Sequence, residues 1–292
     1  MTVTQRPAWV DDTLFPFESR YLEIDRHRLH YVDEGSGPTL LFLHGNPTWS
    51  FLYRHVISAL RDEFRGVAVD YPGFGLSTAA PGYRYLPKEH AQVVTEFVQA
   101  LGLTGITLVA HDWGGPIGLA TVGRLPERFD RLVLANTAGW PTDALRVKAM
   151  SHIVGGPIGR LLIRQFNMFV NMMIPAGHRL TKPTNAEMAH YQKALDSPAR
   201  RHASAVFPRE ITGSRAFLAD IEAGLADLAA LPTLIIWADG DIAFGDDELR
   251  RWESIFTDRH TVVVEGAGHF VPSDAPERFA AAIRDWYPKA AT

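Results

Sequence analysis

The segment Leu108-Val109-Ala110-His111-Asp112-Trp113-Gly114-Gly115 runs from an apolar stretch into two glycines and then a helix-compatible stretch, Pro116–Arg124. Small residues at 110, 114 and 115 let the chain turn sharply from strand to helix and leave Asp112 at the tip of the turn. An Asp before Gly-Gly is also a good helix cap, so Asp112 alone leaves a structural and a nucleophilic reading open. Two later residues favour the second. Asp241 follows the apolar run Thr233–Ala238 in Trp237-Ala238-Asp239-Gly240-Asp241, and His269 stands in Gly266-Ala267-Gly268-His269-Phe270. The chain order is nucleophile, acid, histidine. Each candidate lies just past an apolar run, where open α/β sheets carry their sites. Asp239 is the rival acid, but a residue before Gly240 reads more simply as part of a turn, and Asp241 is preferred.

A carboxylate nucleophile sets the class of reaction. Attack on an ester would give an anhydride, which is uphill. Attack on an sp³ carbon bearing a leaving group gives an alkyl ester, which forms and can later be hydrolysed at its own carbonyl. Asp112 therefore points away from esterases, lipases and proteases and toward a carbon–halogen bond or an epoxide. It is ionised near pH 7 without help, so His269, oriented by Asp241, is free to activate water in a second step. His44-Gly45-Asn46-Pro47 follows the apolar run Thr39–Leu43. Asn-Pro commonly marks a turn, yet a backbone N–H at this place, paired with that of the residue after the nucleophile, suits an oxyanion hole. Those two residues are Asn46 and Trp113.

Strands must deliver these residues to one edge. Arg20–Ile24 and His30–Asp33 read as short strands around the polar turn Asp25-Arg26-His27-Arg28, and His27 and His30 sit on this strand-turn, where exposed polar residues are the default. Thr39–Leu43, Phe64–Asp70, Ile106–Ala110, Arg131–Asn136, Thr233–Ala238 and His260–Glu265 read as further strands. Val94, Phe97, Val98 and Leu101 make a helical stripe between Pro87 and Gly102. Helices are also expected near Asp247–Phe256 and over Glu277–Trp286. Alternating strands and helices predict an α/β protein with a mostly parallel sheet. The alternation fails between Asn136 and Pro232, far longer than the roughly 30 residues of a βαβ unit. The excess, roughly Gly139–Ala229, reads as an insertion with helices at Leu161–Met173, Asn185–Leu195 and Phe217–Leu228.

The motifs His44-Gly45-Asn46-Pro47-Thr48-Trp49-Ser50, Asp70-Tyr71-Pro72-Gly73-Phe74-Gly75-Leu76-Ser77, His111-Asp112-Trp113-Gly114-Gly115 and His269-Phe270 resemble those of the haloalkane dehalogenases in the α/β-hydrolase superfamily. The resemblance runs across the whole core. It implies an α/β-hydrolase fold: an eight-stranded, mostly parallel sheet flanked by helices, formed by 1–137 and 230–292, with a helical cap at 138–229. It implies hydrolysis of a small apolar haloalkane to alcohol and halide ion, through Asp112, His269 and Asp241, with no cofactor and no metal. It assigns the halide to the side chains of Asn46 and Trp113. Two neutral N–H donors suit that task, since the indole only donates and the carboxamide NH₂ offers two donors. The strand after the elbow helix ends Leu134-Ala135-Asn136-Thr137, without the Glu that some dehalogenases carry there. The acid then falls to Asp241, as in the family's third subfamily. Ala110 and Val271-Pro272-Ser273-Asp274 depart from the usual pattern, outside the named chemistry. Phe166, Met168, Phe169, Met172 and Met173 are expected to roof a dry site.

Other readings lose on particular residues. Epoxide hydrolases use two cap tyrosines, and Gly139–Ala229 holds only Tyr191. Fluoroacetate-type enzymes favour Arg after the nucleophile, where Trp113 stands. A non-catalytic binding protein of this fold would commonly lack a triad member. With 29 Lys+Arg against 33 Asp+Glu, the chain has no footprint for nucleic acid. With no cysteine it has no thiol nucleophile or disulfide scaffold, which fits a cytoplasmic protein. No signal peptide and no membrane span are read, so no membrane partner is expected.

Overall fold

The computed structural model describes residues 6–287. Eight strands form one sheet: β1 Arg20–Ile24, β2 His27–Glu34, β3 Thr39–Leu43, β4 Arg65–Val69, β5 Ile106–His111, β6 Phe129–Ala135, β7 Thr233–Ala238 and β8 Arg259–Val264. Their order across the sheet is β1-β2-β4-β3-β5-β6-β7-β8. The β1–β2 and β2–β4 pairs are antiparallel, and all others are parallel. β3, β5 and β7 are buried along their whole length, because helices cover both faces of the sheet. Alternate residues feed two separate cores. Leu40, Phe42, Val109 and Ile236 face one side, while Leu41, Leu43, Leu108 and Ile235 face the other.

The helices are α1 Arg54–Leu60, α2 Pro87–Ala100, α3 Gly114–Arg124, α4 Leu145–Val154, α5 Pro157–Phe166, α6 Ile174–Gly177, α7 Asn185–Ala194, α8 Arg201–Gly213, α9 Arg215–Leu228, α10 Asp246–Ile255, α11 Val271–Asp274 and α12 Pro276–Trp286. α1 and α12 supply Val56, Ile57, Phe279 and Ile283 to one core. α2 and α3 supply Val94, Phe97, Ile117 and Val122 to the other. Six helices, α4 to α9, fill the stretch between β6 and β7 where the alternation fails.

Three expectations need correction. His27 and His30 are buried, 5% and 0% exposed. β2 starts at His27, and the turn shrinks to Asp25 and Arg26, both with positive φ. The single helix expected over Leu161–Met173 is two pieces. α5 stops at Asn167, which takes the left-handed conformation with φ 51°, and a wider π-type turn follows over Phe169–Met173. Finally, Phe166 and Met172 point outward, 66% and 62% exposed, so they do not roof the site. Within the insertion, α4, α6 and α8 lie outside the expected helices.

Candidate active site

Strand register does most of the assembly. Leu43 pairs with Ala110, His111 with Ala135, Ala135 with Ile236, and Ala238 with Val264. The chain leaves β3, β5, β6, β7 and β8 along one edge of the sheet, and the loops there carry Asn46, Asp112, Asn136, Asp241 and His269. The five residues proposed for chemistry, Asn46, Asp112, Trp113, Asp241 and His269, thus come to one edge from points far apart in sequence.

Asp112 sits at the junction of β5 and α3 with φ 52°, a conformation costly for a residue with a Cβ. Its surroundings hold it there. Its N–H donates to the Asn136 carbonyl at 3.2 Å, and its own carbonyl accepts from Thr137 Oγ1 at 2.6 Å and from the Gly115 N–H at 3.0 Å. Gly45 makes room for it, since a methyl group at position 45 would collide with the Asp112 carboxylate. At Gly115, similarly, a side chain would strike Thr137.

The carboxylate has two distinct sides. Oδ1 accepts the Asn46 backbone N–H at 3.0 Å, and the Trp113 backbone N–H also stabilises the anion. Oδ2 lies 3.6 Å from His269 Nε2, beyond hydrogen-bond range. On the far side of the imidazole, His269 Nδ1 meets Asp241 Oδ2 at 2.9 Å. Asp239 faces elsewhere: it is exposed and accepts the Gly266 N–H at 2.7 Å. The rival for the acid is therefore a turn residue, bracing the loop from β8 toward His269.

Burial shapes the charges. Desolvation raises the Asp112 pKa, against the opposing pull of His269 and the two backbone N–H groups. Burial disfavours imidazolium at His269, yet Asp241, through its charge and its hydrogen bond, and Asp112 outweigh this and push the pKa up to about 9. Asp241 is lowered despite its burial, because His269 and the Ala243 N–H favour its anion. The two carboxylates thus favour a proton on His269, and the histidine in turn favours the anionic form of each.

Several supporting residues carried no clear signal in the sequence. His111 Nε2 meets the His269 carbonyl at 2.7 Å and ties the nucleophile loop to the histidine loop. Burial lowers its pKa to about 3, so it stays neutral and adds no positive charge beside His269. Asn136, at the position where an acid was missing, bridges the ends of β6 and β7. Its Nδ2 donates to the Ala238 carbonyl at 3.1 Å, and its Oδ1 accepts the Ala238 N–H at 2.8 Å. A second buried cluster anchors the loop after β4. Asp70 accepts from the N–H groups of Ser50 and Leu76 and pairs with His30 Nδ1 at 2.8 Å.

α8 reaches the two residues that flank the nucleophile. Phe207 meets the Trp113 ring edge-on at 5.3 Å, and the Ser204 carbonyl accepts Asn46 Nδ2 at 3.4 Å. From the other side, Phe244 stacks on His269 at 5.9 Å. Tyr191, the one tyrosine of the insertion, is fully buried against Phe51. Among the described residues no group of three or more His, Cys, Asp or Glu is placed to hold a metal ion. No described helix is long and apolar enough to cross a membrane. A surface groove of about 600 Å³ between β8 and α12 touches none of the site residues.

Residues 38–276 match the family model for the alpha/beta hydrolase fold. Haloalkane dehalogenase 2 of Mycobacterium tuberculosis is 46% identical over 277 residues, 94% of this chain and 96% of its own. A cis-3-alkyl-4-alkyloxetan-2-one decarboxylase of Shewanella oneidensis is 32% identical, over 94% of this chain and 89% of its own. The crystal structure of the haloalkane dehalogenase DatA from Agrobacterium tumefaciens superposes with a TM-score of 0.84 at 25% identity, covering 92% of this chain and 95% of that one. By its fold, its motifs and these likenesses, the chain belongs to the haloalkane dehalogenase family of the α/β-hydrolases.

Proposed function

We propose that this chain hydrolyses small apolar haloalkanes to alcohol, halide ion and a proton, without metal or organic cofactor, and that it works in the cytoplasm. The observation that carries the reading is the two-sided Asp112 carboxylate. One oxygen is held by backbone N–H groups, while the other faces a histidine already oriented by Asp241. Oδ2 attacks the halogenated carbon, the carbon–halogen bond breaks, and the halide departs toward the Trp113 indole and the Asn46 carboxamide. One Asn46 amide N–H already reaches Ser204, and the NH₂ has a second to give. Water then attacks Asp112 Cγ, His269 Nε2 takes its proton, and the backbone N–H groups stabilise the oxyanion. Collapse expels the alcohol oxygen, which takes that proton, and Asp112 then loses the water's second proton to solvent, restoring the carboxylate.

The charge arrangement gives the two steps an order. Asp112 is one of the charges that raise the His269 pKa. Esterification removes that charge, so the His269 pKa falls and the imidazolium gives up its proton to solvent, leaving the neutral imidazole that can accept one from water. Residues 138–229 act as the cap, with α8 reaching the two residues that flank the nucleophile. The Asp-His-Asp set with Asn46 fits the third subfamily.

A halide-release assay on chloro-, bromo- and iodoalkanes tests the reading, together with His269→Ala. Bromide and iodide should be released faster than chloride, and the variant should hold a covalent alkyl adduct on Asp112, seen by intact-mass spectrometry. Turnover of styrene oxide or a cis-3,4-dialkyl-oxetan-2-one with no halide release from any haloalkane would overturn it.

A further inference from the structure

The outer face of the α4–α5 hairpin contradicts ordinary helix burial. α5 places Ile158, Leu161, Leu162 and Phe166 at helical spacing on one stripe, and all four are exposed, Ile158 at 74%. Its buried residues are Gly159 and Ile163. α4 repeats the pattern, with Leu145 and Ile153 at 82% and 73% exposed. Seven of the eleven large apolar side chains exposed among the described residues lie on these two helices. Such a concentration marks an interaction surface rather than scattered surface residues.

The charge beside it names the partner. The whole chain carries a net charge of -4, yet no Asp or Glu occurs between Asp143 and Glu187. Of the cations in that stretch, Lys148 pairs with Asp143, and Arg179 and Lys182 lie beyond α6 and bond to the Gly240, Pro175 and His178 carbonyls, which leaves Arg146, Arg160 and Arg164 on α4 and α5. Arg146 is exposed within the α4 stripe, and Arg160 and Arg164 flank the α5 stripe beside His202, whose pKa burial and these two guanidinium groups lower. An apolar face studded with cations suits the boundary of an anionic bilayer, where the apolar side chains enter the headgroup layer and the cations meet phosphate. A second copy applied through the same patch would oppose Arg to Arg across a two-fold axis, which charge disfavours.

We infer that the α4–α5 face docks this protein on the surface of anionic phospholipid membranes, without spanning them. The inference stands on the surface alone. Its use for an apolar substrate dissolved in lipid rests on the proposed function.

Vesicle flotation of the full-length protein tests it, with phosphatidylglycerol-containing vesicles against pure phosphatidylcholine. At low salt the protein should float with the anionic vesicles and stay behind with the neutral ones, and high salt should release it. Each cation near an anionic surface is worth about fivefold in partitioning, so Arg160→Ser with Arg164→Ser should cost about 25-fold. Ile158→Ser with Leu161→Ser should also abolish flotation. Both variants should keep the circular dichroism spectrum and halide release from a dissolved bromoalkane. Failure to float with anionic vesicles at low salt, or undiminished flotation of both variants, would overturn the inference. So would a wild-type oligomer that these variants turn into monomers without any vesicle binding, which would assign the face to a second copy. Because flotation needs no turnover, a chain that floats but releases no halide would refute the proposed reaction and leave the docking intact.

Discussion

Asp241→Asn should separate the two chemical steps. The acid meets His269 Nδ1 at 2.9 Å and is buried. At that separation and an effective dielectric of about 20, an imidazolium and a carboxylate attract by about 5–6 kcal/mol. Each 1.36 kcal/mol is tenfold in rate, so losing the charge should slow water activation by about 10⁴. The same acid-to-amide change in a serine protease triad costs about 10⁴. The amide also disturbs the tautomer, because its NH₂ placed against Nδ1 leaves the proton on Nε2, the atom that must accept one from water. The displacement step needs only the Asp112 anion, and losing a neighbouring negative charge should make that anion easier to form. Rapid-quench measurement on a bromoalkane should therefore show one bromide released per site at near-normal rate, then a stall with the alkyl group on Asp112. Asp239→Asn, which keeps an oxygen for the Gly266 N–H, should change either step by about threefold or less. An equal slowing of both steps at 241, or a larger loss at 239, would refute the assignment.

Other changes probe the remaining parts of the site. Trp113→Phe and Asn46→Leu should each slow displacement by about 10²–10³, as expected for removing one donor to a developing charge, while hydrolysis of a preformed adduct stays near normal in rapid-quench traces. Gly45→Ala drives a methyl into the Asp112 carboxylate, and halide release should fall by more than tenfold although far-ultraviolet circular dichroism is unchanged. The folded-state His269 pKa of about 9 exceeds its ordinary 6.5. Its contribution to stability is therefore full below pH 6.5 and lost as pH rises through about 9. The melting temperature should decline across that window in the wild type and decline less in His269→Ala.

The sequence made the core of this protein readable because strands and turns are local. Thr39–Leu43 and Thr233–Ala238 are continuous apolar runs that must be buried on both faces, and both ranges match the observed strands. Asp112 was readable from the glycines beside it, since only a tight strand-to-helix turn needs that spacing. Asp241 and His269 followed from chain order. His30 was misread because its partners, Asp70 and Ser19, lie on other segments. A buried histidine and an exposed one look alike without them. His111 was missed as a positioning residue for the same reason, its partner being a backbone carbonyl 158 positions away.

The cap failed differently. α8 carries Pro208 inside its span, which removes a helical hydrogen bond and breaks the sequence pattern. Yet Ser204 and Phe207 on that helix reach Asn46 and Trp113. α4 turns Leu145 and Ile153 outward and buries Ser151, the reverse of what its apolar residues would suggest. α5 has the cleanest stripe of the insertion, and the stripe faces solvent. Periodicity reports that a helix has two faces, but what covers the apolar one depends on neighbours the pattern cannot name. In the core the neighbour is always the sheet, so the inference from stripe to burial succeeds. In an insertion of six helices with no sheet of its own, the apolar face can meet another helix, the site below or something outside the chain. That is why the residues expected to roof the site included Phe166, whose ring lies on the outer surface, and why the helix that does reach Asn46 and Trp113 was the one whose pattern a proline had interrupted.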